Sequence, residues 1–142
     1  MVRLTRRYRF AASHRLHSNH LSERENREMY GKCNYPYGHG HDYVLEVAVR
    51  GPRDTESGLA VDQRILDRLV SEEVLGPFDH KNLNLEVPAF QDLVPTAENL
   101  ALEVRRRLGD RWLEAFAGPW PILESIRIFE TKRNIVELSN SL

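Results

Sequence analysis

The residues able to do chemistry crowd into a few short stretches of this chain. His39 and His41 stand two apart in "GKCNYPYGHGHDY", residues 31 to 43, a segment that also holds the single cysteine, Cys33. On an extended backbone residues i and i+2 project to the same face, so the two imidazoles can point at one ion. Neutral imidazole is a good zinc ligand, and catalytic zinc commonly takes three protein ligands and keeps a fourth position open. His14 in "FAASH" is the foremost candidate for the third ligand, with His17 and His20 of "HRLHSNH" as rivals. Cys33 admits three roles. It can close a structural zinc site as a fourth ligand, it can be a small buried hydrophobe, or it can act as a thiolate base or nucleophile, because a nearby cation lowers a thiol pKa from about 8.5 toward neutrality.

A second constellation lies in "FDHKNLN", residues 78 to 84, where Asp79 precedes His80. Neighbours in a regular strand point opposite ways, so an Asp-His contact requires a turn, which the asparagines favour. His80 can then move protons while Asp79 holds its tautomer; alternatively Asp79 merely caps the turn and His80 faces water. Glu130 shares the parity of Ile126 and Ile128 in "SIRIFE", which sets a carboxylate on the core-facing side of a strand. There it needs a partner, either an arginine or the paired N–H donors of an amino-pyrimidinone ring, unless the strand has already ended in water.

These residues need elements to position them. Val2, Leu4, Tyr8 and Phe10 alternate with polar residues, interrupted at Arg6, and predict a half-buried strand over 2–10. Ser22 with Glu25 forms a capping box that Gly31 closes, predicting a short helix before the cysteine loop. "HDYVLEVAVR" predicts a second strand over 41–50. Ile65, Leu66, Leu69, Val70 and Val74 recur at helical spacing after Asp62, with Gly76-Pro77 expected as the break. Thr96 caps a further amphipathic helix carrying Glu98 in its first turn, and "SIRIFE" and "NIVEL" flank a hairpin turn at "TKRN". The order β-β-α-α-β-β implies an α+β fold with a four-stranded antiparallel sheet and two helices on one face.

At 142 residues the chain reads as one domain, 1–142, able to bury a core without staples. Its formal net charge of −1 gives no broad attraction to nucleic acid or anionic membrane. One cysteine makes no intramolecular disulfide, the N-terminal "MVRLTRRYRF" lacks a secretory apolar run, and no stretch of about 18 apolar residues occurs, so a cytoplasmic location is expected.

Taken together, "FAASHRLHS", "GKCNYPYGHGHDY", "DHKNLN", "PTAEN" and "FETKRNIV" resemble, in order and across nearly the whole chain, the motifs of the 6-pyruvoyltetrahydropterin synthase family. The resemblance implies a T-fold subunit whose sheet joins those of two neighbours into a trimeric β-barrel, two trimers stacking into a homohexamer. It implies one zinc ion per subunit held by His14, His39 and His41, and proton transfer by Cys33, Asp79 and His80. Glu130 would anchor a pterin ring, with Thr96 and Glu98 near it in a pocket between subunits. The implied reaction converts 7,8-dihydroneopterin triphosphate to 6-pyruvoyltetrahydropterin with elimination of triphosphate and no redox cofactor, as in tetrahydrobiopterin synthesis. Arg15, Lys81, Lys132 and Arg133 neighbour these motifs and are candidates for the triphosphate.

A sister group resembling "CxxxHGH" makes 6-carboxy-5,6,7,8-tetrahydropterin for queuosine synthesis. Cys33 and His39 are six positions apart, which is similar to the pyruvoyl-forming pattern instead. A folate-linked branch carries glutamate where Cys33 stands. A zinc-stabilised pterin-binding protein without turnover is the alternative of another class.

Overall fold

The computed structural model describes residues 1–139. Strand β1 spans Val2–His14 and pairs antiparallel with β2, His39–Gly51, in unbroken register from Val2 opposite Gly51 to His14 opposite His39. Both strands are longer than their alternation patterns suggest. "AASH" and "HGH" have too few large apolar residues to read as strand, yet their backbones complete each other's ladder.

Helix α1, Glu23–Tyr30, lies between them. It begins at the expected capping box, Ser22 Oγ accepting from the Glu25 amide at 3.1 Å and Glu25 Oε1 from the Ser22 amide at 2.9 Å, and ends at Gly31 with φ of 54°. A single 3₁₀ turn, Gly31–Asn34, then carries Cys33.

After β2 comes α2, Gln63–Val70, capped by Asp62. Gly76-Pro77 does not break this helix as the sequence suggested. A π-type turn, Ser71–Leu75, in which the Gly76 amide reaches back to the Ser71 carbonyl, leads into one more turn, α3, Gly76–Phe78. Pro77 thus sits at the start of a turn, where an amide hydrogen is not needed. Phe78 is fully buried, and its packing holds the last turn in place.

The expected count of four strands is corrected to five. Residues Lys81–Asn82 form β3, parallel to Ala12 and Ser13 of β1, so the sheet is mixed and runs β3-β1-β2-β4-β5. The cause is local. The Ala11 amide donates to Asp79 Oδ1 at 2.9 Å and the His80 amide donates to the Ala11 carbonyl at 2.6 Å, while His80 adopts φ of 60°, turning the chain along the edge of β1. Two short helical pieces, α4 (Leu83–Glu86) and the 3₁₀ turn Pro88–Phe90, lead to α5, Ala97–Ala115, which Thr96 caps as expected. Antiparallel β4, Ile122–Phe129, and β5, Ile135–Ser139, finish the sheet.

Helices α2 and α5 cover one face of the sheet. Phe10, Tyr43, Leu45, Val47, Ile126 and Ile128 meet Leu66, Leu69, Val70, Val104 and Leu108 in one core, each such large side chain contributing about 1.5–3 kcal/mol on burial. Arg6, which interrupts the apolar parity of β1, reaches Asp67 of α2 with two bonds of 2.8 Å, and Tyr8 Oη donates to the same carboxylate at 2.7 Å. The opposite face is charged: Glu46 lies between Arg7 and Arg127 at 2.6 and 3.1 Å. No helix among the described residues is long and apolar enough to cross a membrane.

Candidate active site

At one end of the sheet the β1–β2 register puts His14 directly opposite His39 and Ala12 opposite His41, with all three imidazoles on the helix-covered face. The 3₁₀ turn brings Cys33 to the same point. One ligand atom from each of His14, Cys33, His39 and His41 lies within 4.8 Å of every other. His41 Nε2 is 3.1 Å from His14 Nε2, and His39 Nε2 is 3.1 Å from Cys33 Sγ. Of the rival histidines, His17 has its Nδ1 3.0 Å from the Asn34 side-chain amide, and neither it nor the exposed His20 joins the cluster.

The donor set suits a metal ion. His14 is fully buried and its Nδ1 lies 2.9 Å from the Pro95 carbonyl, which can only accept, so the proton is on Nδ1 and the Nε2 lone pair faces the cluster. Burial also holds His14 and His41 below the usual histidine pKa, keeping both neutral as ligation requires. Burial pushes the Cys33 thiol up and the charge of Glu130 adds to that; a cation among the imidazoles opposes both effects. Three imidazole nitrogens converging on one point suit a borderline divalent cation such as zinc in number and kind.

Glu130 follows β4 on the expected face, half-buried, with its amide donating to the Asn134 carbonyl at 3.0 Å. Its Oε1 accepts from the Asn134 side chain at 3.0 Å, and no cation pairs with it among the described residues. Its charge is nonetheless felt at His14, Cys33, His41 and Tyr43, which places it beside the cluster. Thr96 stands next to Pro95, the residue bonded to His14, and its hydroxyl accepts from the Asn99 amide at 3.1 Å. Glu98 is exposed in the first turn of α5 and is not among the four residues of the cluster.

Asp79 and His80 are in contact, Oδ1 to Nδ1 at 3.0 Å. The bond from the Ala11 amide, more than that from His80, holds the Asp79 carboxyl below its usual pKa. The pair is not gathered into the four-residue cluster; His80 is 82% exposed and lines a cavity of about 470 Å³ together with His41, Asp42, Lys81 and Glu86. Lys81 is therefore beside the dyad, whereas Lys132 and Arg133 are exposed in the β4–β5 turn.

Sequence reasoning missed two members of the site. Tyr43, fully buried, sets its hydroxyl 3.3 Å from His14 Nδ1, and its burial drives the phenol pKa upward. Its parity with His39 and His41 was an available signal. The Pro95 carbonyl left none, since a backbone acceptor has no residue type.

The comparisons with known proteins agree with this geometry. A family model described as 6-pyruvoyl tetrahydropterin synthase matches residues 3–141. The chain is 47% identical over 133 residues to a protein from Poecilia reticulata named 6-pyruvoyl tetrahydrobiopterin synthase, covering 94% of this chain and 86% of the relative. It superimposes with a TM-score of 0.87 and 39% identity on the structure of the Caenorhabditis elegans 6-pyruvoyl tetrahydropterin synthase, covering 98% and 95% of the two chains. A 6-carboxy-5,6,7,8-tetrahydropterin synthase from Rickettsia bellii is more distant, at 29% identity over 97% of this chain and the whole relative. With the imidazole cluster, the cysteine turn and the Asp-His dyad set on this sheet, the chain belongs to the 6-pyruvoyl tetrahydropterin synthase family.

Proposed function

We propose that the chain is a zinc-dependent lyase that converts 7,8-dihydroneopterin triphosphate to 6-pyruvoyltetrahydropterin and triphosphate. The observation that carries this reading is the convergence of His14, His39, His41 and Cys33 on one point, in a chain so similar to named synthases of that product. His14, His39 and His41 would hold the zinc. When bound, the ion supplies Lewis acidity that makes hydroxyl and adjacent C–H protons easier to remove.

The chain's own residues then move protons. Cys33 as thiolate takes a carbon-bound proton from the substrate side chain, and His80, oriented by Asp79, exchanges a proton at a side-chain oxygen. One C–H proton and the C–O electron pair leave as triphosphate departs, giving an enol that ketonises. The remaining hydroxyl-bearing carbon becomes a second carbonyl as two hydrogens pass from side chain to ring. Hydrogens balance within the molecule, so no redox cofactor takes part. Glu130 accepts from the pterin's paired N–H groups, in keeping with a carboxylate that has no cation partner among the described residues, and Thr96 and Glu98 border that ring.

The exposed dyad supports a site completed by a second copy of the chain, with Cys33 of one subunit facing Asp79 and His80 of another. Among the described residues, β5 carries a strand on one side only, and β3 covers only Ala12 and Ser13 of the outer edge of β1. Open edges on both sides favour closure of three sheets into a barrel, paired face to face as a hexamer in the cytoplasm.

The test incubates zinc-loaded and metal-stripped protein with 7,8-dihydroneopterin triphosphate and identifies products by mass spectrometry. Zinc-dependent 6-pyruvoyltetrahydropterin is expected. Formation of 6-carboxytetrahydropterin with acetaldehyde would move the chain to the sister activity, and binding without turnover would make it a pterin-binding module.

A further inference from the structure

A second cavity, of about 450 Å³, opens between the segment leaving β1, helix α1 and the 3₁₀ turn that carries Cys33. Arg15, Arg27 and Lys32 line it, with His17, Tyr35 and a single carboxylate, Glu23. None of the three cations makes an ion pair among the described residues, whereas Arg3, Arg6, Arg7, Arg106, Arg107, Arg111 and Arg127 all do. Like charges left unpaired around one concavity repel each other, and an anion of several charges relieves that repulsion.

The walls are also fixed in place. Asn34, buried, donates from its side-chain amide to the Leu16 carbonyl at 2.8 Å, and the Leu16 amide donates to the Cys33 carbonyl at 2.7 Å. Arg15 Nε donates to the Asn34 carbonyl at 3.2 Å. Asn26, fully buried in α1, donates to the Ser18 and Ser22 carbonyls at 3.0 Å each and accepts from the Ser18 amide at 2.8 Å. Two buried asparagines thereby lock helix, turn and strand exit together, so the backbone positions of the three cations are set before a ligand arrives.

The cavity is joined to the metal cluster through the backbone itself. Arg15 follows His14, and Lys32 and Asn34 flank Cys33. We propose that Arg15, Arg27 and Lys32 form the subsite for the triphosphate chain of the substrate. This rests on the reading of the substrate given above. It separates the work of the site: the cluster holds the hydroxylated side chain, and the basic cavity holds the leaving group. Charge-assisted contacts, bidentate where arginine provides them, suit phosphate oxygens.

The test uses zinc-loaded protein with Arg27→Gln, Lys32→Gln and the double variant; Arg68→Gln, an exposed arginine on α2 outside the cavity, serves as the charge control. Inorganic tripolyphosphate binding is measured by calorimetry, and KM and kcat with 7,8-dihydroneopterin triphosphate. Each single variant is expected to weaken tripolyphosphate binding about tenfold and raise KM by a similar factor, with kcat and thermal stability changed little, while Arg68→Gln matches the wild type. Tripolyphosphate should compete with the triphosphate substrate, and the affinity for unphosphorylated 7,8-dihydroneopterin should not change in the variants. Tripolyphosphate that binds wild type and double variant alike, or fails to bind the wild type, overturns the subsite. Loss of tripolyphosphate binding in the variants without competition against substrate overturns its assignment to the leaving group. If the wild type turns over no pterin, the calorimetric comparison still decides whether the cavity is an oligophosphate site.

Discussion

His14 Nδ1 lies 2.9 Å from the carbonyl oxygen of Pro95, 81 residues further along the chain. This bond joins the sheet that carries the three clustered imidazoles to the loop that starts α5, and it fixes which nitrogen of His14 faces the cluster. It also separates His14 from the rivals in "HRLHSNH".

Metal content checks that separation directly. His14→Ala is expected to fall from about one zinc per chain to a small fraction of it, whereas His17→Ala and His20→Ala keep the full complement, since a catalytic site needs its three ligands. Plasma emission analysis of dialysed protein reads the result. A His17 variant that loses zinc while His14→Ala retains it would reverse the ligand assignment.

Cys33 has two defensible roles at 3.1 Å from His39, and one substitution tells them apart. Cys33→Ala should hold zinc at wild-type stoichiometry and lose about 10²–10⁴ in kcat, the range for removal of a general base. Zinc lost in parallel with activity would instead make the sulfur a ligand.

The exposed Asp79–His80 pair predicts complementation between defective chains. Cys33→Ala and His80→Ala are each expected to be inactive as pure oligomers. When they are unfolded together in equal amounts and reassembled, about a quarter of the sites should combine an intact Cys33 with an intact His80 from different subunits, given random mixing in a closed oligomer. Sites built within one chain would give no recovery.

Much of this site was legible in the sequence because its chemistry is written in side chains at fixed spacing. The parity of His39 with His41 survived folding because a strand has period two, and the parity of Glu130 with Ile126 and Ile128 did too. The capping box at Ser22 and the Thr96 cap are local, so tertiary packing had no reason to override them. What escaped was set by contacts between distant segments. Strand β3 exists because Asp79 and His80 clamp Ala11, and no residue-type pattern in "KN" announces it. The basic cavity escaped for the same reason, since Arg15, Arg27 and Lys32 meet only once Asn26 and Asn34 have joined their three segments.

Stability should depend on acid through Glu103. Its side chain is 8% exposed on α5 and accepts from Arg106 and from Arg107, at 2.9 Å for the latter. The bond from Arg106 contributes most to holding its carboxyl below the usual pKa. A folded-state pKa below the unfolded one means that the contribution is present above the unfolded value of about 4.3 and is lost as pH falls through the folded value. Glu103→Gln is expected to cost about 1–3 kcal/mol near pH 7, with the gap to wild type closing below about pH 4. Denaturant titrations at several pH values measure it, and a gap that widens on acidification would contradict the sign.

Gly38 controls the approach of His39 to His14. It has φ of 70°, and a Cβ built there would stand 2.5 Å from the His14 carbonyl oxygen and 3.0 Å from its carbonyl carbon. Those are backbone atoms of a strand paired along its whole length, so neither partner can move aside as a flexible side chain would. The left-handed conformation alone costs a non-glycine residue about 1–2 kcal/mol, and the steric contact adds to it. Gly38→Ala is therefore expected to lower stability by at least that amount and to shift His39 away from its place opposite His14. Zinc affinity should then fall along with stability, since a misplaced ligand weakens the whole set. Gly118, at φ of 92° with nothing within 4 Å of a built Cβ, supplies the control. Gly118→Ala shares the backbone strain without the clash and should lose stability while binding zinc as the wild type does. Equal zinc affinity in the two variants would show that the close approach at Gly38 does not position the metal site.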